Sequence, residues 1–152
     1  MKYTPEPLLP EPIGRRLDKI GKLFLGNLQV TLKHLDIERS FFPLLLIDAG
    51  NGITQQDLAS QLKCDKVQVV RIIDYLSSNG YVQRSRNKTD KRKYELIITE
   101  KAGIIIPDIQ NAFSLIASVA LKGLSENQIK EFYSILSSIE NNLITNQSKI
   151  VK

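Results

Sequence analysis

The sequence of 152 residues contains one cysteine, one histidine and no tryptophan, and these absences exclude several classes of protein. Cys64 alone cannot form an internal disulfide, and without a cluster of cysteines and histidines one chain cannot build a structural zinc site. With His34 as the only histidine, and no glycine-rich phosphate loop or recognisable carboxylate pair, no nucleophile and base can be assigned. We therefore expect a protein that is not an enzyme and uses neither a metal nor a cofactor.

Targeting and membrane segments are also missing from the pattern. The N-terminus lacks the basic start and apolar run of a signal peptide, and no uninterrupted apolar stretch reaches the ~18 residues of a membrane span. The length and the 42% hydrophobic content suit one compact core. A cytoplasmic protein without a membrane partner is the expectation.

What is present is a strong local excess of positive charge. Six basic residues and one acid lie between Arg84 and Lys93, so these ten residues carry the entire net charge of +5 and the remainder of the chain is neutral. Such a local excess is typical of a surface that binds a polyanion such as DNA, RNA or an anionic membrane. A solvated basic loop is the alternative when the charge is considered alone.

The first part of the chain predicts a proline-rich lead-in followed by helices. Residues 1–12 hold four of the six prolines, and apolar residues then recur at helical spacing over 13–35. A short apolar helix over 41–47, a turn over 48–52 and a helix capped by Thr54, with Asp57 completing a capping box, come next.

The second part predicts a further helix, a hairpin and two terminal helices. The helix extends from Asp65 to Asn79, and strands follow at 81–84 and 94–98 around a charged loop. Thr99 and Ser125 are placed to cap the last two helices. Helix, tight turn, helix and hairpin is the order of a winged helix-turn-helix, in which the second helix enters the major groove.

This arrangement resembles the MarR family of bacterial transcriptional regulators over nearly the whole chain from about Ile13. The residues that carry the resemblance are Leu58-Ala59, Leu62, the run from Val69 through Leu76 to Gly80, Asp90-Lys91-Arg92, Ile98-Thr99-Glu100-Lys101 and Leu124-Ser125-Glu126. It implies a mainly α fold with a small β-hairpin wing. Residues 36–103 would form the DNA-binding domain, and residues 13–35 and 104–146 the dimerisation helices.

The helix from Asp65 offers side chains suited to DNA bases from its first two turns. The candidates on its polar side are Asp65, Lys66, Gln68, Val70 and Arg71, with Val67 and Val70 able to touch thymine methyl groups. Asp65 fits an N-cap better than a base contact, and Lys66 and Arg71 suit phosphates equally well. Gln68 is the best candidate for reading a base directly.

The wing supplies the second set of candidates, Arg84, Arg86, Lys88, Asp90, Lys91, Arg92 and Lys93. The resemblance implies that Arg92 enters the minor groove while Asp90 holds it in place. A narrow minor groove concentrates negative potential, which favours a guanidinium there. The other five cations would contact phosphates, or serve only solubility.

The resemblance further implies a homodimer, a pseudo-palindromic operator and release of DNA by a small aromatic or amphipathic ligand. Phe24, Phe41, Phe42 and Phe113 could line such a ligand site, although aromatic residues at helical spacing are more often core. Cys64 could sense oxidants if it is exposed, but a buried structural cysteine is the better interpretation. The resemblance leads us to expect a repressor. The alternatives are a winged-helix module that binds a protein and a thiol-based oxidant sensor that uses Cys64.

Overall fold

Six helices and three short strands form the described part of the chain, residues 10–151, in a computed structural model. Residues 1–9 of the proline-rich lead-in lie outside the described residues. The order of elements is α1 Ile13–Thr31, α2 Phe41–Gly50, β1 Ile53–Thr54, α3 Gln55–Leu62, α4 Lys66–Ser78, β2 Val82–Arg86, β3 Tyr94–Ile98, α5 Glu100–Ala120 and α6 Glu126–Ile150. The predicted mainly α class with a small β wing is confirmed.

Capping boxes start three of the helices. Thr54, Asp65 and Ser125 each accept a hydrogen bond from the backbone N–H three residues on, and the side chain of that third residue accepts from the cap's own N–H. Thr99 caps α5, since its Oγ1 accepts from the N–H of Ala102 at 3.2 Å. These bonds satisfy donors that a helix N-terminus leaves free, so the helix starts follow from local sequence.

Two local predictions were wrong in detail. The turn assigned to 48–52 starts later, because α2 continues through Gly50 and only Asn51 and Gly52 adopt positive φ, at 43° and 105°. The sheet also has three strands in the order β1-β3-β2, not two, because Ile53 pairs with Leu96 and Thr54 with Glu95. A two-residue strand has too little alternation to be seen in a sequence.

The chain divides into two compact units, residues up to Ile116 and residues from Ala117 onward. The first unit has one hydrophobic core, to which α1 to α5 and the sheet all contribute. Its most enclosed side chains are Tyr81, Phe41, Leu28, Leu32, Leu44, Ile47, Leu58, Ile73, Leu76, Leu96, Ile109 and Val69. The core therefore fixes α3, α4 and the wing strands relative to one another.

The predicted apolar stripe of the first helix is only half used by this core. Leu28 and Leu32 are buried, whereas Leu17 and Ile20 on the same stripe are exposed, the latter by 52%. The helix α1 ends at Thr31, and the rest of 13–35 forms a turn that still buries Leu32. An apolar face is thus left uncovered along the first turns of α1.

In the second unit, α6 is a helix of 25 residues of which none is buried. Its exposed apolar side chains include Phe132, Tyr133, Ile135, Leu143 and Ile144. The rings of Phe132 and Tyr133 meet edge to face with their centroids 5.9 Å apart. The second unit therefore leaves every residue of α6 at least partly exposed to solvent.

Helix α5 departs from one expectation. By length and composition alone it could cross a membrane, with a mean hydropathy of 1.4 over 18 residues, although no such stretch was expected. Ala102, Ile106, Ile109, Ala112 and Ile116 of this helix are buried in the core. The core helix of a folded protein passes the same test, and these five side chains account for the apolar character of one side of α5.

Candidate nucleic-acid interface

The turn between α3 and α4 is held by backbone bonds and a left-handed residue. Helix α3 ends at Leu62, its C-cap Lys63 has a φ of 52°, and the N–H of Cys64 donates to the Ala59 carbonyl at 3.1 Å. Cys64 is half-buried and packs against the core. The turn therefore sets the orientation of α4 against α3, and Cys64 lies partly packed between the turn and the core.

Helix α4 buries one side and exposes the other. Val69, Ile73 and Leu76 lie in the core, while Lys66, Gln68 and Arg71 are exposed as the sequence predicts. Val70 is half-buried, whereas Val67 is 59% exposed. Of the two valines considered for thymine methyl groups, Val67 is thus the more accessible.

Asp65 and Gln68 have a local role at the start of α4. The carboxylate of Asp65 accepts from the N–H of Gln68 at 2.8 Å, and Oε1 of Gln68 accepts from the N–H of Asp65 at 3.3 Å. Asp65 is therefore the N-cap, the alternative favoured for it. The amide of Gln68 commits its oxygen to the box and leaves Nε2 outside it, so its strongest contribution to a base edge is as a donor.

Two of the six wing cations have partners within the chain. Arg84 Nη2 lies 3.3 Å from Asp74 Oδ1, and this ion pair joins β2 to α4. Arg86 Nε donates to Tyr94 Oη at 3.2 Å, and its guanidinium lies 5.7 Å from the centre of that ring. Among residues 10–151, no ion pair involves the other four wing cations, Lys88, Lys91, Arg92 and Lys93, all exposed.

Asp90 and Arg92 are linked through the backbone of the wing loop. Oδ1 of Asp90 accepts from the N–H of Arg92 at 3.1 Å, while the Arg92 side chain stays exposed. The acid therefore fixes where the arginine leaves the chain without neutralising its guanidinium. A cation presented in this way is available to a narrow, negative groove.

A groove between α3 and α4 adds residues that sequence reasoning missed. Gln55, Gln56 and Lys66 line a cleft of about 410 Å³ together with Ala59 and Val69. Gln55 and Gln56 lie in the first turn of α3, and the first helix of a helix-turn-helix crosses the DNA backbone. Their place directly after the Thr54 cap was the feature that could have identified them.

The start of α3 also carries a perturbed carboxyl group. The Thr54 hydroxyl donates to Asp57 Oδ2 at 2.7 Å, and this bond, followed by the one from the Thr54 N–H, lowers the pKa of Asp57. Burial opposes these two bonds and raises the pKa, and the charge of Lys93 lowers it by less than burial raises it. Lys93 therefore lies near enough to α3 for its charge to be felt there.

The four predicted phenylalanines meet at one apolar cleft of about 450 Å³ in the first unit. Phe113 of α5 lies 6.0 Å from Phe24 and 6.3 Å from Phe42 between ring centres, and Phe41 is buried behind them. Ile72 of α4 lines the same cleft. The cleft is therefore in direct contact with α4.

The C-terminal end of α4 is anchored by Lys101 of α5. Its ammonium donates to the carbonyl of Asn79, the C-cap of α4, at 2.7 Å and lies 3.3 Å from Asp36 Oδ2. It also lies 4.4 Å from the centre of the Tyr81 ring, whose hydroxyl donates to the Asp36 carbonyl. Burial raises the pKa of the Tyr81 phenol, and the nearby charge of Lys101 opposes that rise.

A family model provides the first comparison with known proteins. The model described as the MarR family matches residues 38–94, which include α2, α3, α4 and the wing up to Tyr94. The HTH-type transcriptional regulator BilQ of Clostridioides difficile (strain CD3) is 27% identical over 100 residues, spanning 66% of this chain and 68% of that protein. The residues matched by the family model therefore include the exposed side of α4 and the basic wing.

Solved structures extend the likeness to the terminal helices. The transcriptional regulator SlyA has a TM-score of 0.84 and 25% identity, covering 93% of this chain and all of that one. A MarR family transcriptional regulator from Listeria monocytogenes, complexed with 26mer DNA, has a TM-score of 0.81 and 28% identity, covering 90% and 92% of the two chains.

Proposed function

Because this chain belongs to the MarR family of DNA-binding transcriptional regulators, we propose that it is a homodimeric repressor of a pseudo-palindromic operator, released by a small aromatic or amphipathic ligand. Membership of this family makes it a regulator rather than an enzyme. Its place of action would be the cytoplasm, where bacterial operators are.

The observation that supports the DNA-binding surface is the exposed positive charge of the wing tip, together with the exposed polar side of α4. Lys88, Lys91, Arg92 and Lys93 form no ion pair among residues 10–151, and Asp90 accepts a hydrogen bond from the backbone N–H of Arg92. We assign Arg92 to the minor groove and the three lysines to phosphates. Lys66, Val67, Gln68 and Arg71 of α4 would face the major groove.

The uncovered apolar faces support dimerisation. Ile13, Ile20 and Leu23 of α1 are each more than half exposed, and no residue of α6 is buried. Exposed apolar side chains of this kind, present in each of the two units, are a liability for a monomer, and a second copy related by two-fold symmetry would cover them. We therefore assign residues 13–35 and 104–146 to dimerisation and 36–103 to DNA binding.

The phenylalanine cleft supports a ligand site. Its volume of about 450 Å³ lies within the range of ligand pockets, roughly 300–1,000 Å³, and Phe24, Phe42 and Phe113 offer ring faces to an aromatic compound. A compound bound there would touch Ile72 and so act on α4 directly. A thermal-shift screen with aromatic acids, followed by operator release, tests this assignment.

The test of DNA binding compares the native protein with Arg92→Ala and with Lys122→Ala, which removes one exposed charge outside the wing. Native protein and Lys122→Ala should bind the promoter next to the gene that encodes this protein with the same affinity. Arg92→Ala should bind that promoter at least about tenfold more weakly. Failure of the native protein to bind any promoter fragment at low salt would refute the proposal. A partner protein captured equally by native protein and Arg92→Ala would favour the protein-binding alternative.

A further inference from the structure

Asn87 makes most of the side-chain hydrogen bonds that order the loop at the tip of the wing. Every residue from Lys88 to Lys93 is exposed, so no hydrophobic packing holds this segment. It also concentrates Lys88, Lys91, Arg92 and Lys93, whose charges repel one another. An exposed segment of this composition needs specific hydrogen bonds to keep one conformation.

Asn87 supplies those bonds through its amide oxygen. Oδ1 accepts from the backbone N–H of Thr89 at 2.9 Å, from the Thr89 hydroxyl at 2.7 Å and from the N–H of Asp90 at 3.0 Å. The backbone of Asn87 closes the same loop, because its N–H donates to the carbonyl of Lys93 at 2.9 Å. Asp90 then accepts from the N–H of Arg92, so Asn87 orients the residue that in turn orients the arginine.

The other end of the amide is anchored to the sheet. Nδ2 of Asn87 donates to Oε1 of Glu95 in β3, a half-buried residue paired with Thr54 on one side and Ser85 on the other. The carboxylate of Glu95 lies against Gly52, where an added Cβ would come within 3.0 Å of Oε2. The rigid β1-β3 pair therefore fixes Glu95, and Glu95 fixes Asn87.

We propose that Asn87 is a positioning residue for DNA binding, which transmits the order of the sheet through Glu95 and Asp90 to Arg92. This inference rests on the proposed role of the wing in the minor groove. The proposed role of Asn87 involves no contact between Asn87 and DNA. It lowers the entropy that the loop would lose on binding, so that the cations are already arranged for the groove.

The first test is Asn87→Ala, with Asn127→Ala on exposed α6 as the matched control. Asn87→Ala should weaken operator binding by about tenfold, because the loop of this variant loses conformational entropy when it binds and this loss reduces the free energy of binding. The slope of log affinity against log salt should stay unchanged, since no phosphate-binding cation has been removed. The amide protons of Thr89 and Asp90 should exchange faster with solvent in Asn87→Ala and unchanged in Asn127→Ala.

The second test exchanges donor and acceptor. Asn87→Asp alone places two carboxylates opposite each other and should weaken binding. Asn87→Asp combined with Glu95→Gln leaves the net charge of the chain unchanged and restores one N–H donor between the two side chains. The double variant should recover to within about twofold of the native affinity.

The outcomes separate the inference from the function on which it rests. Native protein that binds no DNA overturns both. If native protein binds DNA, either of two results overturns the positioning role alone. One is that Asn87→Ala binds as tightly as native protein, and the other is that the Thr89 amide of Asn87→Ala stays protected from exchange. A double variant no better than Asn87→Asp also overturns it, because the bond to Glu95 then carries no order to the loop.

Discussion

Removal of the Lys101 ammonium should loosen the C-terminal end of α4. In Lys101→Met the stem keeps its packing, but three interactions are lost: the bond to the Asn79 carbonyl at 2.7 Å, the ion pair with Asp36 at 3.3 Å and the contact with the Tyr81 ring at 4.4 Å. The Lys101 side chain is 48% exposed and that of Asp36 is 86% exposed, so solvent weakens the ion pair.

The magnitude follows from these exposures. A charge-assisted hydrogen bond at a partly exposed site contributes about 1 to 1.5 kcal/mol, the cation–ring contact roughly 0.5 to 1, and the exposed ion pair at most about 0.5. We therefore expect the free energy of unfolding to fall by about 2 kcal/mol. In a chain of this size that corresponds to a midpoint roughly 4–8 °C lower.

Urea and thermal unfolding at one fixed protein concentration measure this loss, with Lys122→Met as the control that removes an exposed lysine from the loop before α6. Asp36→Asn should lower the unfolding free energy by no more than about 0.5 kcal/mol. A loss in Lys101→Met no larger than that of the control would refute the anchoring of α4 by Lys101.

Three further predictions follow from single side chains. Val67→Ala should weaken binding to a thymine-containing operator, and weaken it little when deoxyuridine replaces thymine, because the contact proposed for the 59% exposed Val67 is with the thymine methyl group. Thr54→Val should raise the pKa of Asp57, which NMR titration measures, because the variant lacks the hydroxyl that donates to this carboxylate. Since folding lowers this pKa, the ionised Asp57 carboxylate stabilises the native state at neutral pH, and that stabilisation is lost as the pH falls through the pKa of the folded state. Leu58→Ala, at a fully buried site, should lower the unfolding free energy by roughly 2–5 kcal/mol in urea, and a loss below 1 would contradict the packing.

The elements that depend on neighbouring residues were predictable from the sequence. The Thr54 and Ser125 capping boxes join residues three apart, so their pattern is visible without a fold. The buried side of α4 likewise follows from the helical spacing of Val69, Ile73 and Leu76. Helix order, the wing and the exposed side of α4 therefore came from local rules.

Features that depend on distant residues were not predictable. Strand β1 exists because Ile53 meets Leu96 across the sheet, and nothing in its two residues indicates that partner. Asn87 looked like an ordinary loop residue, since its role comes from Glu95, which the pleat of β3 places beside it. The charge pattern located the wing, but only the fold shows which side chains hold it.

The same limit applies to the wing charges, and it gives a direct test. Arg84 and Arg92 look equivalent in the sequence, yet Arg84 is paired with Asp74 of α4 and Arg92 has no acidic partner among residues 10–151. Each phosphate contact in duplex DNA contributes roughly 0.9 to the salt slope, so Arg92→Gln should reduce the slope of a dimer by about 1.8 if its charge displaces counterions. Arg84→Gln should reduce it by less than about half of that, because its charge is already compensated within the protein. Equal changes in the two variants would mean that Asp74 releases Arg84 on binding, and that the pairing in the free protein does not decide which cations DNA meets.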